Sequence, residues 1–330
     1  MRVLWALLLV LVAVPRWAGE ERLPLPQGGG RLVSEPVLLH ADDPRVRRTG
    51  RLRFEGGIAL SARDAGFGGY SALHVAGDRF VLLGDGGNLL AFRMGGDLRP
   101  RAARLFALPG GPTTGWRKAD RDSEALAFNP ASRRWWVAFE NHNAIWRYAP
   151  GFARAERGRR PTAMRRWPTA GGPEAMVRLA DGRFVVLGES ARPRRGPDGK
   201  RPRGRVGLIF PRDPTDPAVR PAAFLYRPAP GYDPVDLAEL PDGRVLVLER
   251  GFRLPFRWLT RVVLLPRGAI RPGALVSGRE VGRLGAPMVA DNFEGIAAVR
   301  EGGRTVVWLV SDDNDSVLQR TLLLKFALIG

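Results

Sequence analysis

Four short segments of this chain carry an acid at the same place before an apolar run. They are Asp122-Ser123-Glu124-Ala125-Leu126, Gly172-Pro173-Glu174-Ala175-Met176, Pro234-Val235-Asp236-Leu237-Ala238 and Asn292-Phe293-Glu294-Gly295-Ile296. A fifth, Gly69-Tyr70-Ser71-Ala72-Leu73, has Ser71 in the acid's place. Each run turns back and ends in a second acid: Asp85, Glu140, Glu189, Glu249 or Asp312. In an antiparallel hairpin the start of one strand lies beside the end of the other. The expected pairs are therefore Glu124 with Glu140, Glu174 with Glu189, Asp236 with Glu249 and Glu294 with Asp312, with Ser71 facing Asp85. Carboxylates held this close cannot all ionise without a counter-charge. A bound cation, neighbouring arginines or protonation would each resolve the conflict. Hard oxygen ligands, with Asn141, Asn143, Asn292 and Asn314 nearby, favour Ca²⁺, then Mg²⁺, over zinc. The competing reading is structural: the acids bond backbone amides and arginines and hold the repeats in register. Ser71 and the run Asp312-Asp313-Asn314-Asp315 break the symmetry, which places an off-axis site near the first and last repeats.

Other candidate chemistry is sparse. His142 follows Glu140 and is the attractive general base. His74 lies inside an apolar strand and reads as structural, and His40 carries no signal. Arg192, Arg194 and Arg195 follow Glu189, and Arg250 follows Glu249; guanidinium groups there would bind an anionic substrate bidentately. The loop 191–205 reads equally as a solvated surface segment, because proline and glycine fill it. Gly188-Glu189-Ser190-Ala191-Arg192 lacks the closing glycine of a nucleophile elbow, and no P-loop or dinucleotide fingerprint is present.

The elements that must position these residues are β-hairpins. In the third copy, residues 175–179 form one strand, Asp181-Gly182 a tight turn and 183–187 the return. The fourth copy turns at Asp242-Gly243 and the fifth at Gly302-Gly303. The return strands are nearly continuous apolar runs, as in strands covered on both faces. Two further strand candidates follow most hairpins, such as 206–210 and 222–226. Four strands in a repeat of roughly 50–60 residues is a propeller blade. The expectation is an all-β chain folded as a single β-propeller of five blades, or six if residues 32–60 add more than one strand. The last repeat is one strand short, and residues 50–60 are expected to supply it and close the ring.

Composition limits the rest. The chain has 330 residues, 45% of them hydrophobic, enough for a sizeable core. Arg2 followed by the apolar stretch 3–14 and Ala18-Gly19 reads as a secretory signal over residues 1–19, with an uncleaved tether as the second reading. No later run would span a bilayer. Residues 20–49 are read as an N-terminal extension and 50–330 as the propeller domain. The expected location is periplasmic or secreted, and the absence of cysteine excludes a disulfide framework and a lipoprotein anchor. The net charge of +19 is carried almost wholly by arginine; it reads either as an anion-attracting surface or as a drift of composition. No nucleic-acid motif accompanies it, and a monomer is expected.

The segments Gly68-Gly69-Tyr70-Ser71-Ala72-Leu73, Asp122-Ser123-Glu124-Ala125-Leu126, Gly172-Pro173-Glu174-Ala175-Met176 and Asp291-Asn292-Phe293-Glu294-Gly295-Ile296 together resemble the "esterase-like activity of phytase" family, the phytase-like domain proteins. The resemblance extends over about residues 50–326. It implies an exported bacterial β-propeller that hydrolyses phosphate or carboxylic esters. The histidine acid phosphatase pattern Arg-His-Gly-x-Arg-x-Pro does not occur. The leading expectation is a metal-assisted ester or phosphoester hydrolase. Glu124, Glu174 and Glu294 would be the first ligands, and Asp236, Glu140, Glu189, Glu249, Asp312 and Asp85 further ligands or support. Two alternatives stand beside it: a non-catalytic periplasmic binding propeller, and a lactonase-like sugar-acid hydrolase.

Overall fold

The hairpins expected from the sequence form, and they are arranged as five sheets in the computed structural model. It describes residues 23–28, 31–115, 117–196, 198–255, 257–316 and 318–330, so the expected signal segment 1–19 lies outside the described residues.

The chain enters through β1 (Val33–Pro36), β2 (Arg48–Thr49) and β3 (Leu52–Ser61). Blade 1 comprises β4 (Tyr70–Ala76), β5 (Arg79–Gly84), β6 (Asn88–Met94) and β7 (Pro100–Ala107). A one-turn helix, α1 (Lys118–Arg121), leads into blade 2: β8 (Ser123–Asn129), β9 (Arg134–Phe139), β10 (Ala144–Tyr148) and β11 (Ala155–Arg159). Blade 3 is β12 (Pro173–Arg178), β13 (Phe184–Gly188), β14 (Arg205–Phe210) and β15 (Ala222–Tyr226). Blade 4 is β16 (Asp233–Glu239), β17 (Val245–Arg253) and β18 (Arg257–Leu265). Then β19 (Leu275–Val276) pairs back onto β15, and β20 (Arg279–Leu284) completes blade 4. Blade 5 is β21 (Asn292–Glu301), β22 (Arg304–Asp312) and β23 (Thr321–Leu328), and β3 is its fourth strand.

The choice between five and six blades is thus decided by how the N-terminal strands are used. β3 pairs with β23 from Leu52↔Leu328 to Leu60↔Thr321, while β1 and β2 pair only with β3. None is left to start a sixth blade. This pairing joins the two ends of the chain into one sheet and covers an edge that would otherwise be open.

The first strands β4, β8, β12, β16 and β21 pack side by side in a closed ring around the channel. The apolar core is divided in the same way. Five clusters of buried side chains fill the five spaces between blades, for example Trp136, Met176 and Val186 between blades 2 and 3. The return strands are buried almost end to end, as in Trp135–Phe139 of β9, because each is sandwiched between neighbouring blades. Farther along the first strands the channel holds a cavity of about 190 Å³ whose lining includes His74, Arg178, Glu239 and Ile296. Among the described residues no helix is long and apolar enough to cross a membrane.

Candidate functional site

The acids are placed by a β-bulge that recurs at the start of every first strand. In blade 2, Ser123 pairs with Phe139 and Ala125 with Ala138, so Glu124 is the extra residue. The same irregularity isolates Ser71 in blade 1, Glu174 in blade 3 and Glu294 in blade 5. A bulge frees one residue from the ladder and re-aims its side chain. Just past the paired residue of the return strand come Asp85, Glu140, Glu189 and Asp312.

Blade 4 departs from the pairing expected of it. Its bulged residue is Val235, because Pro234 pairs with Glu249 and Asp236 with Leu248. Asp236 and Glu249 are therefore each shifted by one residue out of the rim. Asp236 accepts from the amides of Leu237 (2.8 Å) and Ile296 (2.8 Å) and ties blade 4 to blade 5. Glu249 accepts from the Tyr226 hydroxyl (2.6 Å) and is ion-paired with Arg261. The rim position beyond the return strand is taken by Arg250. Its guanidinium reaches Glu189 at 2.6 Å, Asn292 at 3.1 Å and the Glu294 carboxylate. The signal that locates this shift lies in the sequence: aligned on the proline of Pro173-Glu174 and Pro234-Val235, blade 4 carries Val235 and Arg250 where blade 3 carries Glu174 and Glu189. Aligning on the acids hides it.

A second internal cation, absent from the sequence expectation, is Lys118 on α1. Its ammonium lies 2.5 Å from Asp85 and 3.6 Å from Asp315. The quadrant between blades 1 and 5, where the Ser71 exception pointed, thus holds one cation of the chain against Asp85 and Asp315, while Asp312 forms no ion pair among the described residues. Ser71 is buried and in loose contact with the Gly69 carbonyl at 3.5 Å. Asp313 accepts from the Gly69 amide (3.0 Å) and the Thr321 hydroxyl (2.7 Å).

What remains is blade 2. Asp122, Glu124 and Glu140 each bring a carboxylate oxygen into a group whose members lie within 4.8 Å of one another. Glu174 of blade 3 lies beside them and is influenced by Glu124 and Glu140. One Glu140 oxygen is held by the amides of Gly171 and Gly172, the latter at 3.0 Å. Among the described residues no lysine or arginine forms an ion pair with Asp122, Glu124, Glu140 or Glu174. Burial, and then the neighbouring charges of Asp122 and Asp85, push the Glu124 carboxyl well above the usual range. Burial, then Glu124 and Glu140, do the same to Glu174. Burial beside Glu140 raises Asp122 to about 7, and burial beside Asp85 raises Asp312 to about 8. Asp122 belongs to one of the quoted segments, but only the helix α1 that ends beside it makes it a member of the cluster.

The remaining expected residues fall as follows. His142 sits in the β9–β10 turn with Nε2 buried and without a hydrogen-bond partner. Arg192, Arg194 and Arg195 are exposed in the long β13–β14 connection, and Arg195 donates to the Gly199 carbonyl (2.8 Å). His74 is packed against Phe128 and Trp135, and burial lowers it to about 4. His40 accepts from the Asp43 amide through Nδ1.

The family model Phytase-like, described as esterase-like activity of phytase, matches residues 65–315. No curated protein matches the chain. Among solved structures it is similar to glutaminyl cyclase from Myxococcus xanthus, with 12% identity, a TM-score of 0.44, and 91% of this chain and 97% of that one covered. It is similar to a gluconolactonase from Xanthomonas campestris, with 12% identity, a TM-score of 0.40 and coverage of 93% and 99%. It is also similar to hydrazine synthase from Kuenenia stuttgartiensis, with 10% identity and a TM-score of 0.37. That match takes in 74% of this chain but only 57% of the other.

Proposed function

We infer the function from one premise: the chain belongs to the phytase-like family, described as esterase-like activity of phytase. On that premise we read it as a cation-assisted hydrolase of phosphate or carboxylic esters, acting at the rim of the propeller channel. One observation carries the reading. Arg250 and Lys118 ion-pair with Glu189, Glu294 and Asp85, yet among the described residues no lysine or arginine ion-pairs with Asp122, Glu124, Glu140 or Glu174. Several carboxylates sharing one buried site without a counter-charge mark a place suited to a cation.

The donor set fits such an ion. The group consists of oxygen ligands only, all within 4.8 Å of one another, which suits a hard divalent ion such as Ca²⁺ bound at about 2.3–2.6 Å. Asp122, Glu124 and Glu140 would hold it, with Glu174 beside them. A bound divalent ion supplies Lewis-acid polarisation of an ester oxygen and a more acidic water. The protein's own residues do the rest. The amides of Gly171 and Gly172 orient Glu140, and Arg250 ion-pairs with Glu189 and Glu294 at the cluster's border. His142 offers an unpartnered imidazole nitrogen two residues from Glu140 as the proton acceptor. Arg192, Arg194 and Arg195 lie on a connection that opens on the same face and are positioned to attract an anionic substrate.

The test is hydrolysis of aryl phosphate and aryl carboxylate esters by the purified full chain, with and without chelator. Loss of activity with chelator and its return with Ca²⁺ is the expected result. Hydrolysis indifferent to chelator, or no Ca²⁺ bound by elemental analysis, would remove the cation from the reading. The structural ties of Asp236, Glu249 and Arg250 favour one second reading, a binding propeller whose acids hold the blades. Under it Ca²⁺ would raise stability and no ester would be cleaved.

A further inference from the structure

The hairpin between β17 and β18 runs past the rim. Its two strands pair from Val245↔Leu265 to Arg253↔Arg257. The neighbouring strands stop earlier: β16 leaves β17 at Arg250, and β20 leaves β18 at Thr260. Residues 251–259 are thus a two-stranded finger with no strand on either side. The corresponding hairpin of blade 3 pairs only from Phe184↔Phe210 to Leu187↔Gly207. Phe252 and Leu254 of the finger are 46% and 86% exposed, and the Phe252 ring packs on Trp258 at 4.8 Å. Arg253 and Arg257 beside them are exposed and form no ion pair with a described residue.

Two further apolar side chains stand on the same face. Leu318, 74% exposed, lies in the β22–β23 connection, which begins after Asp312 and holds Asp315 3.6 Å from Lys118. Leu25, 61% exposed, follows Leu23 and Pro24, which share a crevice with Asp85, Lys118 and Asp315. Leu254, Leu318 and Leu25 are the most exposed of the large apolar residues described, and all three lie at the rim. Charge separates the two faces as well. The turns of the opposite face carry acids, and these pair with arginines: Asp78 with Arg93, Asp181 with Arg183, Asp242 with Arg244. On the rim face Arg165, Arg166, Arg192 and Arg194 are exposed on the connections into β12 and β14, and they form no ion pair with a described residue. The exposed acids on the described connections of that face are Asp198 and Asp315. The rim acids do not offset the arginines at the surface, because Glu174, Glu294 and Asp312 are buried.

We propose that the rim face docks on a bilayer that carries anionic lipid, with the finger 251–259 entering the headgroup layer. Unpaired arginines attract anionic headgroups. An arginine can lay its stem on apolar surface while its guanidinium stays in the polar layer. Exposed apolar side chains gathered on one face mark an interaction site, and a Trp ring with a polar N–H suits the boundary between lipid and water. A soluble polyanion would satisfy the arginines and leave Leu254 and Leu318 bare. The apolar side chains stand on three separate stretches of chain around the rim, an arrangement that meets an extended surface better than a small ligand. Docking of this kind needs no ester chemistry and stands independently of the hydrolase reading.

The experiment is co-sedimentation of the full chain with vesicles of phosphatidylglycerol and phosphatidylcholine in equal parts, and with phosphatidylcholine alone. Chelator is present throughout, so failure of the cation or hydrolase reading leaves the result intact. Binding at least ~10-fold tighter to the phosphatidylglycerol vesicles is expected. Phe252→Ser combined with Leu254→Ser should weaken it at least ~10-fold, and Arg253→Gln combined with Arg257→Gln should do the same. Arg183→Gln combined with Arg244→Gln removes equal charge from the opposite face and should leave binding unchanged. Every variant keeps the apolar stretch 3–14, so any contribution from it is common to all. Should the serine variant fail to fold, the arginine variant decides. No vesicle binding, or equal binding by the wild type and the finger variants, would overturn the proposal. So would binding lost with the arginines but kept in a folded serine variant, or capture of heparin in place of vesicles, since either would mean charge alone.

Discussion

The two halves of the rim begin from the same hairpin and end with opposite charge balance. On the blade 4–5 side, Arg250 stands where the other blades carry an acid and bridges Glu189 to Glu294. On the blade 2–3 side, Asp122, Glu124, Glu140 and Glu174 form no ion pair among the described residues, and Arg250 and Lys118 act on them only from farther away. The backbone differs little: a bulge lies near the start of the first strand in both halves. The residue at one rim position, Arg250 in place of an acid, therefore decides whether the carboxylates beside it have an ion-pair partner within the chain. The repeat builds the frame, and its exceptions assign the work.

The largest effect expected is at Arg250. Arg250→Gln leaves Glu189 and Glu294 without their cation, and truncating one member of a buried ion pair costs about 3 kcal/mol or more. Urea unfolding should show that loss, and Ca²⁺ should now recover part of it, because this half of the rim has become like the other. No loss of stability would mean that Arg250 is not the element that separates the two halves.

Glu124→Gln tests the open half from the other direction. It should weaken Ca²⁺ binding at least ~10-fold, about 1.4 kcal/mol. With chelator present it should raise the melting temperature, because a neutral amide does not have to take up a proton, as the Glu124 carboxyl does, to be buried there. A variant that is destabilised in chelator would show instead that Glu124 is a structural acid. A smaller effect is expected of Lys118→Met. The pair with Asp85 is partly exposed, so its loss should cost about 1 kcal/mol or less. Denaturation with and without Ca²⁺ would show whether the ion can replace the ammonium.

The effect that is smallest at neutral pH, and grows only in acid, concerns the channel beyond the rim, which both halves share. His74 is held neutral by burial, with its folded value lowered from 6.5 to about 4. The unfolded chain then binds more protons between those values. The contribution of His74 is intact above pH 6.5 and is lost as pH falls toward 4. His74→Leu should lose less stability over that window in thermal melts than the wild type. An identical loss would mean that His74 is already protonated in the folded chain.

Much of this was legible from residues alone because hairpins are local. The tight turns at Asp181-Gly182 and Asp242-Gly243, the apolar return strands and the repeat spacing all report on contacts a few residues apart, and they yield blades. The missing strand of the last repeat was legible too, since residues 52–61 had no hairpin of their own and the final blade lacked one partner. The placement of Asp236 and Glu249 was not, because a bulge shifts a strand by one residue and the acids themselves offered a false alignment.

The sequence by itself thus determined the propeller, its closure and the recurrence of acids at one end of each hairpin. Short-range geometry is sufficient for all three. Only the tertiary structure decided which acids meet a cation of the chain. Arg250 reaches across to Glu189 and Glu294, and Lys118 reaches Asp85 from a separate helix. Those contacts join residues tens of positions apart through long side chains. Their charge balance exists only once the ring has closed.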